Sequence, residues 1–204
     1  MTMTEITPKS IKQLRDMTGA GMMDCKKAME ATDGDLEKPV VWLREQGIAN
    51  AGKRQDRATS NGVVEAYTHR TGDYPPQVGA LIELDCESDF VAKGDEFRTL
   101  AREIALHVAA AAPRWISRDE VPAQVIEVEK EVALEQARNE GRPEAAWDKI
   151  VEGRLNNFFK ETVLLEQAYV REPKTTIENL VKENISKLQE NITIRRFTRY
   201  NVKE

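Results

Sequence analysis

The spacing of apolar residues changes period near residue 62, and that change limits the fold. Upstream, Ile11, Leu14 and Met17 recur at helical spacing, and so do Leu36, Val40 and Leu43. Downstream, GVVEAYTH (62–69) and QVGALIELDC (77–86) alternate apolar and polar side chains, the period of a half-buried strand. A helix-period segment does not settle as a strand, so this chain must join a helical module to a sheet.

Punctuation residues divide the helical part. Thr7-Pro8 supplies a capping hydroxyl and a first-turn proline. TGAG (18–21) stops that helix, and a second is predicted over 22–32. Asp33–Asp35 reads as a break and cap, and the third helix is expected to close at Gly47. Residues 1–48 therefore read as a three-helix N-terminal domain with a thin core, which leans on a partner or on the rest of the chain. Residues 49–61 (NAGKRQDRATSNG) are polar and locally basic and read as a linker with a helical first half.

Residues 62–204 read as an α+β core. The turn RTGDYPP joins two strands into a hairpin. DEFRTLAREIALHVAAAA (95–112) is an amphipathic helix with Phe97, Leu100, Ile104 and Val108 on one face, ended by Pro113. SRDE (117–120) carries a capping-box pattern before a helix over 121–140. Another helix is expected over 143–161, then an irregular or short extended piece, VLLEQAYVRE. Thr175 with Glu178 gives a second capping box, for a helix over 176–189. NITIRRFTRY (191–200) alternates as a strand, with a break of phase at Arg195-Arg196 that suits a bulge. The expected architecture is a three-stranded antiparallel sheet covered by helices, its third strand from the C-terminal end. Such a sheet has two open edges that a second chain can extend.

Composition and motifs exclude several functions. The net charge of −5 does not suit a surface built to coat nucleic acid or an anionic membrane. No apolar run reaches a spanning length and no signal-peptide core opens the chain. Cys25 and Cys86 form no CxxC, which argues against zinc and disulfides and for the cytoplasm. GIANAGKR (47–54) nearly matches a phosphate loop, but Arg54 replaces the magnesium-binding hydroxyl and the stretch follows a helix. GAGMMD (19–24) lacks the third glycine of a dinucleotide fingerprint. DGDLEK from Asp33 has Lys38 where a calcium loop needs glycine, so a cap is the better reading. No Ser, Cys or Lys has an evident base nearby. Trp42, Trp115 and Trp147 read as core anchors. Lys53, Arg54, Arg57, Arg195, Arg196 and Arg199 are the residues a nucleic-acid module would use, but the acidic balance and the linker's lack of aromatics argue against one.

LIELDCESDFVAKGDEF (81–97) raises a sharper question. Its acids, Asp85 to Asp89, suit either an oxygen-ligated metal or the cap of the next helix. Phe90 stands directly beside Asp89 and has two fates on pattern alone: it folds back into the core, or it projects outward. His107 is open in the same way, as a packed helix residue or a contact, and Met22 as core filler or docking residue.

Three stretches carry a resemblance. IKQLRDMTGAGMMDCKKAM (11–29), LIELDCESDFVAKGDEF and ENITIRRF (190–197) resemble, in order, two signatures and the last core strand of bacterial elongation factor Ts. HVAAAAP and VEGRL match between them. That family exchanges guanine nucleotide on elongation factor Tu. The resemblance implies a ubiquitin-associated-like N-terminal domain, an α+β core with a single subdomain, and a homodimer. It implies a partner, elongation factor Tu, in its GDP-bound and nucleotide-free states, and neither nucleic acid nor membrane. It implies no covalent chemistry, no catalytic residue, no cofactor and no metal of its own. Ser88, Asp89, Phe90 and Val91 would form the loop that disturbs the partner's magnesium site. Arg15, Met22, Met23 and Lys26 would dock the N-terminal domain, with His107 a weaker contact. The family usually has threonine where this chain has Ser88, which keeps the hydroxyl. The C-terminal strand has no cysteine, so no disulfide is expected across a strand-paired dimer.

Overall fold

In the computed structural model, which describes residues 6–32 and 38–203, the chain forms two compact units. The first gathers the described residues up to Val63 with Leu84–Leu100 and Val181–Thr193. The second gathers Val64–Glu83, Ala101–Leu180 and the described residues from Ile194 on. Strands β1 (Asn61–His69), β2 (Val78–Cys86) and β5 (Ile192–Asn201) form a three-stranded antiparallel sheet in the order β1–β2–β5. The chain is therefore α+β, as its change of period requires.

The first unit starts with three helices: α1 (Pro8–Thr18), α2 (Met22–Ala31) and α3 (Lys38–Ala51). Thr7 caps α1: Ser10 N donates to Thr7 Oγ1 at 3.2 Å, and Thr7 N donates to Ser10 Oγ at 3.0 Å. Gly19 ends α1 in the left-handed region at φ 68°, where its N–H reaches Arg15 O. Leu14, Cys25, Ala28, Met29 and Leu43 make the small core, with Ile11, Ala20, Val40 and Trp42 packed on it. Met17, which shares the helical spacing of that stripe, is exposed instead. The Asp33–Asp35 cap and Leu36 lie outside the described residues.

Gly47 does not close α3, a correction to the sequence reading. The helix runs through it to Ala51 and into a 3₁₀ turn, Gly52–Arg54. A Cβ on Gly47 would stand 2.7 Å from Ser186 Oγ and 3.0 Å from Ser186 Cβ. The glycine thus serves a close approach between α3 and α8 (Ile177–Leu188). Arg44 adds an ion pair there, its Nε 2.5 Å from Glu183 Oε1.

Strand β2 buries Ala80, Ile82, Leu84 and Cys86, every second residue, as its alternation predicts. Strand β5 buries Ile192 and Ile194, then exposes Arg195 and Arg196 in succession, so its alternation shifts phase there. Helix α5 (Asp95–Ala111) buries Phe97, Leu100, Ile104 and Val108.

In the second unit, α6 (Ala123–Asn139) and α7 (Trp147–Thr162) pack together as a helical pair. Val121, Phe159 and Val163 form a core here, covered by Trp115, Val125, Ile126, Leu155 and Phe158. The expected capping box at 117–120 is absent. The Ser117 side chain caps nothing, and Glu120 Oε2 instead accepts from Ile116 N at 2.8 Å. A 3₁₀ turn over Arg118–Glu120 intervenes, and α6 begins after Pro122. Trp147 is not a core anchor either: it is half-buried, donates to Arg142 O at 2.9 Å and lies under the Arg138 guanidinium.

The stretch after α7 contains β3 (Ala168–Tyr169), paired antiparallel with β4 (Glu172–Thr176). Thr176, not Thr175, caps α8, with Asn179 N donating to Thr176 Oγ1 at 3.2 Å. Thr175 is the one buried residue of β4, and its hydroxyl is buried without a partner. Among the described residues, no helix is long and apolar enough to cross a membrane.

Candidate functional site

The strand-to-helix connection is built by one extra turn of helix. β2 ends at Cys86, and Ser88, in extended conformation, caps α4 (Asp89–Ala92) through Val91 N donating to Ser88 Oγ at 3.3 Å. Helical geometry then sorts the four side chains of the turn. Val91 and Ala92 point inward and are buried, while Asp89 and Phe90 point out. Of its two fates Phe90 takes the outward one, at 84% exposed. Burying such a ring is worth about 1.5–3 kcal/mol, so leaving it in water forgoes a stabilisation that a partner can supply. Val91, predicted as part of the contact loop, is instead a buried anchor, because its side chain faces the core side of the turn.

The root of this turn is fastened from a distance. Glu190 Oε2 accepts from Glu87 N at 3.1 Å and Ser88 N at 3.0 Å, and its Oε1 accepts from Ser88 Oγ at 2.5 Å. Asn191 N donates to Glu87 Oε1 at 2.6 Å, and Asn61 Nδ2 donates to Glu87 O at 2.8 Å. Asn191 Nδ2 also donates to the carbonyls of Gln55 and Arg57. None of these partners was visible as such in the sequence. The only signal is that Glu190-Asn191 opens the ENITIRRF stretch, and no spacing rule ties it to Ser88.

Charges around the turn are distributed by exposure. Asp89 Oδ2 lies 2.7 Å from Lys93 Nζ, and the hydrogen bond and charge of Lys93 hold the Asp89 carboxyl below its ordinary range. Cys86, beneath the turn, has its thiol pushed up to about 11, first by burial and then by the nearby Glu190 charge. Among the described residues, no group of three or more His, Cys, Asp or Glu could hold a metal ion. Two of the acids of 85–89 are engaged within the chain, Glu87 with Asn191 N and Arg57 and Asp89 with Lys93.

On the N-terminal helices, Met22 is 41% and Met23 64% exposed, and Arg15 and Lys26 are exposed as well. Met29 and Cys25 fill the core that the other two methionines leave. Lys26 lies 3.7 Å from Glu30, its neighbour one turn on.

His107 is a correction. It has no exposed surface; its Nδ1 accepts from Val170 N at 3.3 Å and its Nε2 is 2.9 Å from Gln167 Oε1. That pattern fixes the neutral tautomer with its proton on Nε2. A ring so enclosed is a packing residue, not a docking residue. The residues of the failed phosphate loop, 47–54, are helical. Several of the nucleic-acid candidates are engaged internally: Arg54 with Gln189, Arg57 with Glu87, Arg196 with Glu83 and Arg199 with Ala109 O.

Residues 40–204 match the family described as Elongation factor TS. The chain belongs to the elongation factor Ts family. It is 48% identical over 199 residues to elongation factor Ts of Heliobacterium modesticaldum, spanning 98% of this chain and 91% of the relative. It is 50% identical over 199 residues to that of Carboxydothermus hydrogenoformans, spanning 98% and 90%. It is 52% identical over 200 residues to that of Coprothermobacter proteolyticus, spanning 98% and 100%. The family match begins inside α3, whereas the relatives align across nearly the whole chain, so α1 and α2 belong to the likeness too. As an elongation factor Ts family member, the chain is a translation elongation factor.

Proposed function

We propose that this chain releases GDP from elongation factor Tu by disturbing that partner's magnesium site, after which GTP rebinds. The observation that carries the reading is Phe90, an aromatic ring 84% exposed on a capped turn with a carboxylate beside it. Phe90 acts as an apolar wedge against side chains that support the partner's magnesium. Asp89 supplies a charged acceptor next to the wedge. Ser88 caps the turn that carries both, and Val91 anchors it. A magnesium ion that bridges protein and phosphates holds GDP tightly, so a disturbed shell loosens the nucleotide. No covalent bond changes in this step, and no cofactor of this chain takes part.

Linkage fixes the energetics. Whatever factor this chain takes from GDP affinity, GDP takes from this chain's affinity. Each tenfold loosening requires about 1.4 kcal/mol of differential contact. Arg15, Met22, Met23 and Lys26 add a second contact, in which exposed methionines adapt to the partner surface. The order β1–β2–β5 leaves β1 and β5 as edges, which supports a homodimer formed by edge pairing. The setting is the cytoplasm, with no direct nucleic-acid or membrane contact.

The test is release of fluorescent GDP from elongation factor Tu. The wild-type chain speeds it by orders of magnitude, and Phe90→Ala and Asp89→Ala slow it while keeping their fold. Wild-type rates in both variants would sink the wedge. Light scattering at micromolar concentration tests the dimer, and a strict monomer refutes edge pairing.

A further inference from the structure

We infer that Glu190 is the positioning residue of the Asp89-Phe90 turn: its carboxylate sets the direction in which the exposed ring points. The inference rests on the exchange reading above and extends it to a residue about a hundred positions away in sequence.

Phe90 cannot orient itself. With its ring in water, no packing fixes it, so what the protein sets is the Cα–Cβ direction from which the ring projects, and that follows from the backbone of residues 87–91. Glu190 takes hold of that backbone at two donors, Glu87 N and Ser88 N, and of the Ser88 side chain at its hydroxyl. Hydrogen bonds to a carboxylate are stronger than neutral ones. The third contact also acts as a relay. A serine hydroxyl has one proton and rotates freely. With that proton committed to Glu190 Oε1 at 2.5 Å, the lone pairs of Oγ face Val91 N, which donates at 3.3 Å. Glu190 thus orients the very hydroxyl that caps α4. A threonine at 88 offers the same proton, so the relay needs the hydroxyl and not the serine.

The neighbours distribute the load. Asn191 N and Arg57 Nη1 hold the Glu87 carboxylate, at 2.6 Å and 3.4 Å, and Asn61 holds the Glu87 carbonyl. These contacts fix residue 87, whereas Glu190 accepts the proton of the Ser88 hydroxyl and so reaches the cap of the turn.

The experiment compares Glu190→Ala, Glu190→Gln and Phe90→Ala in GDP release from elongation factor Tu, at increasing concentrations of each variant. Hydrogen exchange of the Ser88 and Val91 amides is followed on the same free proteins. A misplaced wedge still docks through its other contacts. The alanine variant is therefore expected to lose at least about tenfold in maximal release rate at an unchanged half-saturating concentration. Its Ser88 and Val91 amides exchange faster than those of wild type. The glutamine variant falls between, since one amide oxygen serves the two N–H donors while the –NH₂ faces Ser88 Oγ.

A wild-type maximal rate in Glu190→Ala, or a change in half-saturation alone, overturns the proposal. Should the alanine variant unfold, the glutamine variant carries the test, and unaltered Ser88 and Val91 amides overturn it. Phe90→Ala separates the two readings: if that variant releases GDP at the wild-type rate, the wedge itself is wrong. The amide measurements then still judge whether Glu190 holds the turn.

Discussion

Lys93 Nζ sits 2.7 Å from Asp89 Oδ2, one helical turn along the chain, with both side chains mostly in water. The pair ties the outward carboxylate of α4 to its own turn. Removing it with Lys93→Ala is expected to return the Asp89 pKa upward, because the lysine supplies both the leading hydrogen bond and the leading charge that depress it. The sign for stability follows from a folded value below the unfolded one. The contribution is present above the ordinary carboxylate pKa and is lost as pH falls through the lowered folded value. Exposure keeps that contribution small. A carbon-detected NMR titration of Asp89 checks the shift, and an unmoved midpoint contradicts it.

Gly47→Ala tests the contact between α3 and α8. Helix propensity alone would favour alanine by about 1 kcal/mol. A methyl 2.7 Å from Ser186 Oγ and 3.0 Å from its Cβ crowds α8: the hydroxyl can rotate away, but the Cβ is fixed to the helix backbone and has to give. Overpacking of this kind costs about 1–3 kcal/mol, so the variant is expected to be less stable than wild type in urea unfolding. Adding Ser186→Gly removes both clashing atoms and recovers the loss. A stabilised single variant would show that the helices part without cost.

His107 makes stability depend on pH near neutrality. Burial lowers its pKa, partly opposed by its bond to Gln167. The folded state then binds fewer protons than the unfolded chain as pH drops below the histidine's ordinary value of about 6.5. Stability is full above that value and falls below it. His107→Ala flattens this dependence and costs about 2–4 kcal/mol by opening a cavity and stranding Gln167 Oε1 and Val170 N. Urea midpoints measured from pH 7.5 down to about 5.5 read both effects.

The cysteines are expected to be inert in the folded chain. Both are buried and free, and the thiolate is the reactive form. With its pKa at about 11, Cys86 carries almost no thiolate at pH 8, and burial raises Cys25 as well. A colorimetric thiol reagent at pH 8 should label neither within minutes, and both promptly in denaturant. Fast labelling of Cys86 in the native protein would show that the turn above it opens.

Local pattern was legible wherever one residue sufficed to read it. Thr7 and Gly19 begin and end α1 by their own side chain and backbone preference. The period of Phe97, Leu100, Ile104 and Val108 fixed the buried face of α5, and alternation fixed that of β2. The same rules failed where a neighbour in space decides. Glycine signals a helix end, yet at Gly47 it makes room for Ser186. Thr175 stands one residue before the true cap because β4 runs on to Thr176, so Thr175 is still a buried strand residue where α8 is about to start. Met17 has core spacing but an exposed place.

The sequence by itself determined the order and kind of the longer elements, though not the short α4 or the β3–β4 pair, together with the family and the pairing of an acid with an aromatic at 89 and 90. These follow from chemistry within a few residues of each other, which a linear pattern records. Only the tertiary structure decided that Phe90 stays in water, that Val91 and His107 do not, and that Glu190 grips the root of the turn. Each of those outcomes depends on which segments a closed chain brings within hydrogen-bonding or van der Waals reach. That reach is a few ångströms, and Ser88 and Glu190 meet within it only because the fold places β5's entry beside the end of β2.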